Sequence, residues 1–103
     1  MRVRYQPHVR ARLREIFLYI GQDGPRPVIR FRARLVAAQR RVGLFPQAGS
    51  KVLEWPEKSL RECLIGEYRF FYLIDEKRST VWIVDVWHGA QLAHAPEPPA
   101  PAR

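Results

Sequence analysis

Val3 and Tyr5 alternate with Arg2 and Arg4 at the start of the chain, and Pro7 stops the alternation, which predicts a short N-terminal strand. Beyond Pro7 the period lengthens. Val9, Leu13, Ile16, Phe17 and Ile20 fall at helical spacing, and Gly21 with the following Asp-Gly-Pro closes the segment. Residues 8 to 21 are therefore expected to form an amphipathic helix with Arg10, Arg12 and Arg14 on its outer face. Pro25 and Pro27 separate it from a second helix, in which Val28, Phe31, Leu35, Ala38, Val42 and Phe45 recur at alternating steps of three and four. Gly43 and Pro46 end this helix near its last turn. With only a short turn between them, the helices should pack antiparallel, since neither can bury its stripe alone.

From Pro46 to Ser59 no period is sustained, so "PQAGSKVLEWPEKS" reads as an irregular connection that Trp55 pins to the body. The runs "RECLI" and "YRFFYLID" that follow are rich in aromatic and aliphatic residues. Gly66 and Glu67 join them, the Gly-X pair of a type II′ hairpin turn. "DEKRS" then leads into "TVWIVDVWHG", where β-branched residues dominate. The order strand, helix, helix, three strands predicts an α+β domain over residues 1–89: an N-terminal strand, an antiparallel helical hairpin, and a three-stranded antiparallel meander with the helices on one face of the sheet. Residues 90–103, "AQLAHAPEPPAPAR", hold too many prolines and alanines to build a further core element, and an extended tail is expected.

Strand alternation places Arg69, Phe71 and Leu73 on one face and Tyr68, Phe70, Tyr72 and Ile74 on the other. Both faces then carry large apolar groups. A face away from the helices must be covered by the protein's own loop or tail, or receive a partner.

Composition narrows the possible chemistry. At 103 residues there is room for one core. The lone Cys63 permits neither an internal disulfide nor a cysteine-based metal site, and no run has the length of a membrane span, so a cytoplasmic protein without a cofactor is expected. The formal net charge of +8 favours nucleic acid, an acidic protein segment or an anionic surface as partner. Arg61 and Arg69 could grip phosphate through their guanidinium forks, or pair with Glu62, Glu67 or Asp85. His88 ends the last strand where an imidazole could move a proton, or simply hydrogen-bond. His8 and His94 stand alone. Neither a glycine-rich phosphate loop nor a serine nucleophile elbow occurs.

Four stretches together resemble the RelE/ParE toxins of bacterial type II toxin-antitoxin modules, and more closely the ParE branch: "REIFLYI" at 14–20, "LFPQAG" at 44–49, "LRECLIGEYRFFY" at 60–72 and "VDVWHGA" at 84–90. The resemblance implies a basic toxin that inhibits growth by poisoning DNA gyrase, stabilises plasmids, and is neutralised by a ParD-like antitoxin in a hetero-oligomer. For the RelE branch it implies instead a ribosome-dependent mRNA endoribonuclease. A third possibility is a degenerate toxin that only binds its antitoxin. If the protein were a nuclease, His88, Arg61 and Arg69 would form its catalytic set. That set looks incomplete, because His88 is followed by Gly89 and no tyrosine, lysine or arginine occurs before Arg103. The ParE-like reading therefore leads, although Ala90, Gln91 and Leu92 stand where that branch often has an arginine and an acid. Candidate contacts for antitoxin or target are Arg61, Arg69, Phe71, Tyr72, Trp82, Trp87 and His88.

Overall fold

A computed structural model describes residues 1–54 and 59–89. The expected tail at 90–103 and the pinning role of Trp55 lie outside the described residues. Strand β1 (Arg2–Tyr5) leads into helix α1 (Pro7–Gly21) and helix α2 (Pro25–Leu44); a 3-10 turn (Pro46–Ala48) precedes β2 (Ser50–Lys51), β3 (Arg61–Ile65), β4 (Tyr68–Asp75) and β5 (Thr80–His88).

The three-stranded meander is too small. The sheet has five strands in the order β1-β5-β4-β3-β2 and is mixed, because β1 lies parallel to β5, with Val3 opposite Val81 and Tyr5 opposite Ile83. Packing explains the placement of β1. Val3 and Tyr5 add to the core under α2, the Tyr5 hydroxyl donates to Gln39 Oε1 at 2.8 Å, and the N-terminal ammonium donates to the Gly43 carbonyl at 2.7 Å. At the other edge, Ser50 and Lys51 pair with Glu62 and Arg61. Two residues are too few to carry a readable alternation.

The helix boundaries also differ from the sequence reading. Pro25 and Pro27 sit inside the first turn of α2, where a residue without an N–H loses no intrahelical bond, and do not separate the helices. Phe45 leaves the apolar stripe: the chain turns out of the helix at this residue, and its side chain is 64% exposed. Phe31, Leu35, Ala38 and Val42 of the stripe pack into the core beneath the helices, while Val28 lies against Gly21 of α1. Phe31 meets Phe17 of α1 and Tyr68 of β4 edge to face, with ring centroids 5.4 and 5.7 Å away, so one side chain ties both helices to the sheet.

Helices cover the face of Tyr68, Phe70, Tyr72 and Ile74. The opposite face holds a second core of Val52, Leu60, Phe71, Val84 and Trp87, with Leu73 and Trp82 beside it. Its cover among the described residues is the connection after β2, through Val52 and Leu60, as one of the two sequence-based alternatives held. A β-bulge makes this second core possible. Phe71 opposes Asp85 while Tyr72 opposes Ile83, so Val84 is the extra residue and the alternation of β5 reverses there. Trp82 and Trp87, which simple alternation would send to opposite faces, thereby share one.

Candidate functional site

Arg69 stands on the second face, directly opposite Trp87 across the β4–β5 ladder. Its side chain is 5% exposed. The guanidinium donates through Nε to Glu62 Oε1 at 2.8 Å and through Nη2 to Glu62 Oε2, and a second fork reaches Glu54 through Nη1 at 2.8 Å and Nη2 at 3.1 Å. It also lies 4.9 Å from the ring centroid of Phe71. The hydrogen bond to Glu62 raises the Arg69 pKa above its ordinary value against the opposing effect of burial. For Glu54, burial pushes the carboxyl upward, but the Arg69 hydrogen bond and charge outweigh it and hold the pKa down. Glu62 was among the foreseen partners. Glu54 was not, because the aperiodic segment that carries it offers no signal for its direction.

Phe71 and Trp87 pack edge to face at 4.8 Å beneath this ion cluster, and the Trp87 indole Nε1 donates to Asp85 Oδ2 at 3.0 Å. Phe71 is fully buried and Trp87 is 5% exposed, whereas Trp82 is half-buried at the far end of the same face.

Arg61 and Tyr72 do different work. The fully buried Tyr72 sends its hydroxyl to the Pro46 carbonyl at 2.6 Å and accepts from the Gly49 N–H at 3.0 Å. Arg61 Nη1 donates to the Gly49 carbonyl at 2.8 Å and the Gln47 carbonyl at 3.3 Å. Together they satisfy the backbone of the "FPQAG" turn and fix it to the sheet. Burial keeps the Tyr72 phenol protonated above its usual range.

His88 is directly opposite Tyr68, on the helix-covered side, with ring centroids 5.2 Å apart and its Nε2 3.6 Å from Glu67 Oε2. The three candidate nuclease groups are thus not gathered. Arg69 and His88 project from opposite faces, and the register puts Arg61 four positions along the sheet from the Tyr68–His88 pair, about 13 Å at strand rise. His8, which no sequence signal singled out, has a structural part. Its Nε2 lies 2.8 Å from the Val84 carbonyl, and as the carbonyl can only accept, that nitrogen carries the proton. The imidazole therefore holds the bulged residue.

Among the described residues, no cluster of three or more His, Cys, Asp or Glu side chains could hold a metal, and no helix is long and apolar enough to cross a membrane. Surface grooves lie among the described residues. One of about 500 Å³ runs between α2 and the β2–β3 edge, lined by Ala37, Ala38, Arg41 and Cys63 among others. Another of about 650 Å³ is bordered by Met1, Leu44, Phe45, Pro46 and Ile74.

No curated protein matches the chain. The family described as "ParE toxin of type II toxin-antitoxin system, parDE" matches residues 3–93, a span that takes in both helices, nearly all of the sheet and the second-face core. The chain belongs to this ParE family, the toxins of type II toxin-antitoxin modules, in which an antitoxin is the cognate partner.

Proposed function

We propose that this ParE-family toxin halts growth by binding DNA gyrase and stabilising its cleaved-DNA state, without catalysis of its own. The observation that carries this reading is the dispersal of Arg61, Arg69 and His88. Arg69 is engaged by two carboxylates, Arg61 by the backbone of the "FPQAG" turn, and His88 lies on the other face from Arg69. Phosphodiester cleavage needs a proton-transfer group and a charge-stabilising group around one phosphate, and this arrangement supplies no such point. Binding energy directed at a macromolecule remains. Purified toxin should inhibit supercoiling or raise the yield of cleaved plasmid when mixed with gyrase, and antitoxin should reverse the effect. Gyrase unaffected by excess toxin, together with codon-specific cuts in translated messages, would overturn the reading in favour of the endoribonuclease.

For the antitoxin we propose an acidic amphipathic segment that folds on binding. Leu44 and Phe45, 66% and 64% exposed beside the 650 Å³ groove, suit its apolar anchors, and Arg41 on the groove's border suits a carboxylate. Of the earlier contact candidates, Arg61, Trp82 and His88 have accessible surface to offer, while Arg69, Phe71, Tyr72 and Trp87 are buried and would support the interface from beneath. Co-expression should give a complex that survives purification at low salt, and failure to co-purify would remove this claim.

A further inference from the structure

The helical hairpin, residues 7–44, carries nine arginines against Glu15 and Asp23, a net of +7 in a chain whose total is +8. Six of the nine stand on α2, which contains no acidic residue, and all six are exposed. Among the described residues none of these six enters an ion pair.

Their placement is not random around the helix. At about 100° per residue, Arg26, Arg30, Arg34, Arg40 and Arg41 fall within a sector roughly 120° wide, on the side away from the buried Phe31 and Val42. Ala33 and Ala37 are the residues between them, Leu44 ends the stripe, and Arg32 stands apart. From Arg26 to Arg41 the stripe runs about 22 Å at about 1.5 Å per residue. Arg26, Arg30 and Arg34 follow one another at i,i+4, where like charges cost roughly 0.2–0.5 kcal/mol per pair. Folding alone gains nothing from that repulsion.

We infer that this stripe of α2 binds the phosphate backbone of duplex DNA, without reading its sequence. A duplex presents phosphates along a rigid rod at about 3.4 Å per base pair on each strand, so the stripe matches six or seven base pairs of one backbone. Guanidinium forks suit phosphate oxygens, and the short side chains of Ala33 and Ala37 let the backbone approach the helix. No aromatic residue lies within the stripe, so it lacks the stacking platform that unpaired bases would use. Along the stripe itself an amphipathic acidic peptide is matched less well, since only alanines separate the arginines between Arg26 and Arg41, and the exposed Leu44 and Phe45 proposed as antitoxin anchors lie past its end. This affinity does not rest on the gyrase reading, because it belongs to the toxin alone.

The test is fluorescence anisotropy of a short labelled duplex of random sequence, titrated with the full chain over a range of salt. Neutralisation of five phosphates should give a slope of log K against log salt of about −4.5, and Arg30→Gln/Arg34→Gln/Arg41→Gln should reduce it to about −2. Glutamine keeps the helix propensity of arginine, and circular dichroism confirms that the variant folds. Arg2→Gln/Arg4→Gln/Arg78→Gln removes the same charge away from α2 and should leave the slope nearly unchanged. The inference is overturned if the full chain does not bind at low salt, if both variants lower the slope equally, or if single-stranded DNA binds more tightly than duplex. It is also overturned if the α2 variant loses binding to a polyglutamate peptide but keeps its affinity for DNA. As the assay contains no gyrase, a negative result leaves the proposed target untouched.

Discussion

Arg69 and Glu54, fifteen positions apart, meet at 2.8 Å and fix the connection after β2 over the second face of the sheet. Glu62, the other carboxylate on Arg69, belongs to the neighbouring strand β3. One buried guanidinium thus joins a strand, its neighbour and a loop, and it holds together two carboxylates that would otherwise repel each other.

Arg69→Ala should therefore destabilise the protein by about 3 kcal/mol or more, because it leaves two carboxylates facing each other above Phe71. Thermal unfolding should shift down by on the order of 10 °C or more. Arg69→Lys should recover only part of the loss, since an ammonium cannot form both forks. A change within about 1 °C in Arg69→Ala would contradict the structural role assigned here.

Gly49 is expected to tolerate no side chain. A Cβ at this position would stand 2.2 Å from the Tyr72 hydroxyl and 2.8 Å from the Glu62 carbonyl, and the second of these is backbone in the sheet. Gly49→Ala should cost several times more than Tyr72→Phe. The latter removes two hydrogen bonds without adding volume and is expected to cost about 2 kcal/mol. Equilibrium urea unfolding of the two variants checks the order.

Gly66 poses the opposite case. A Cβ there would meet only ordinary contacts, the nearest being Phe31 Cδ1 at 3.7 Å, but φ is +61°. Glu67 has no positive φ, in keeping with the type II′ turn expected from the sequence. Gly66→Ala should cost about 1 kcal/mol through the backbone alone, and Gly66→Asn less. Equal losses in the two variants would point to a steric cause instead.

These residues also mark what was legible in the sequence. Both helices followed from the 3.6 period, the β3–β4–β5 run from its aromatic and β-branched residues and the Gly66-Glu67 turn, and the two faces of β4 from strand alternation. The Val84 bulge was not visible, as one inserted residue changes no local preference yet reverses every later side chain of β5. Strand β1 was read as a strand, but its parallel place beside β5 depends on contacts with α2 that no local pattern encodes. At the candidate site, residue types were legible and their directions were not: Arg69 and His88 look like neighbours in function until the register sends them to opposite faces.

Stability should fall on the alkaline side in two overlapping steps. Burial raises the Cys63 thiol from 9.0 to about 11, with the Glu62 charge adding to it, and raises the Tyr5 phenol from 10.0 to about 12. Both groups are neutral when protonated, and both hold their proton more tightly folded than unfolded. Their favourable contribution is therefore complete below pH 9 and declines as the unfolded chain begins to ionise, first from Cys63 between pH 9 and 11, then from Tyr5 between pH 10 and 12. The urea midpoint should be flat as pH rises from 8 to 9 with respect to these groups and drop beyond it. Cys63→Ala should remove the earlier step while keeping the later one. Below pH 9 the native Cys63 thiol should also react with iodoacetamide about a hundredfold or more slowly than a free cysteine, since its thiolate is scarce. Rapid alkylation of the native protein at pH 8, or a midpoint that rises above pH 9, would contradict the half-buried placement of this side chain against the core beside α2.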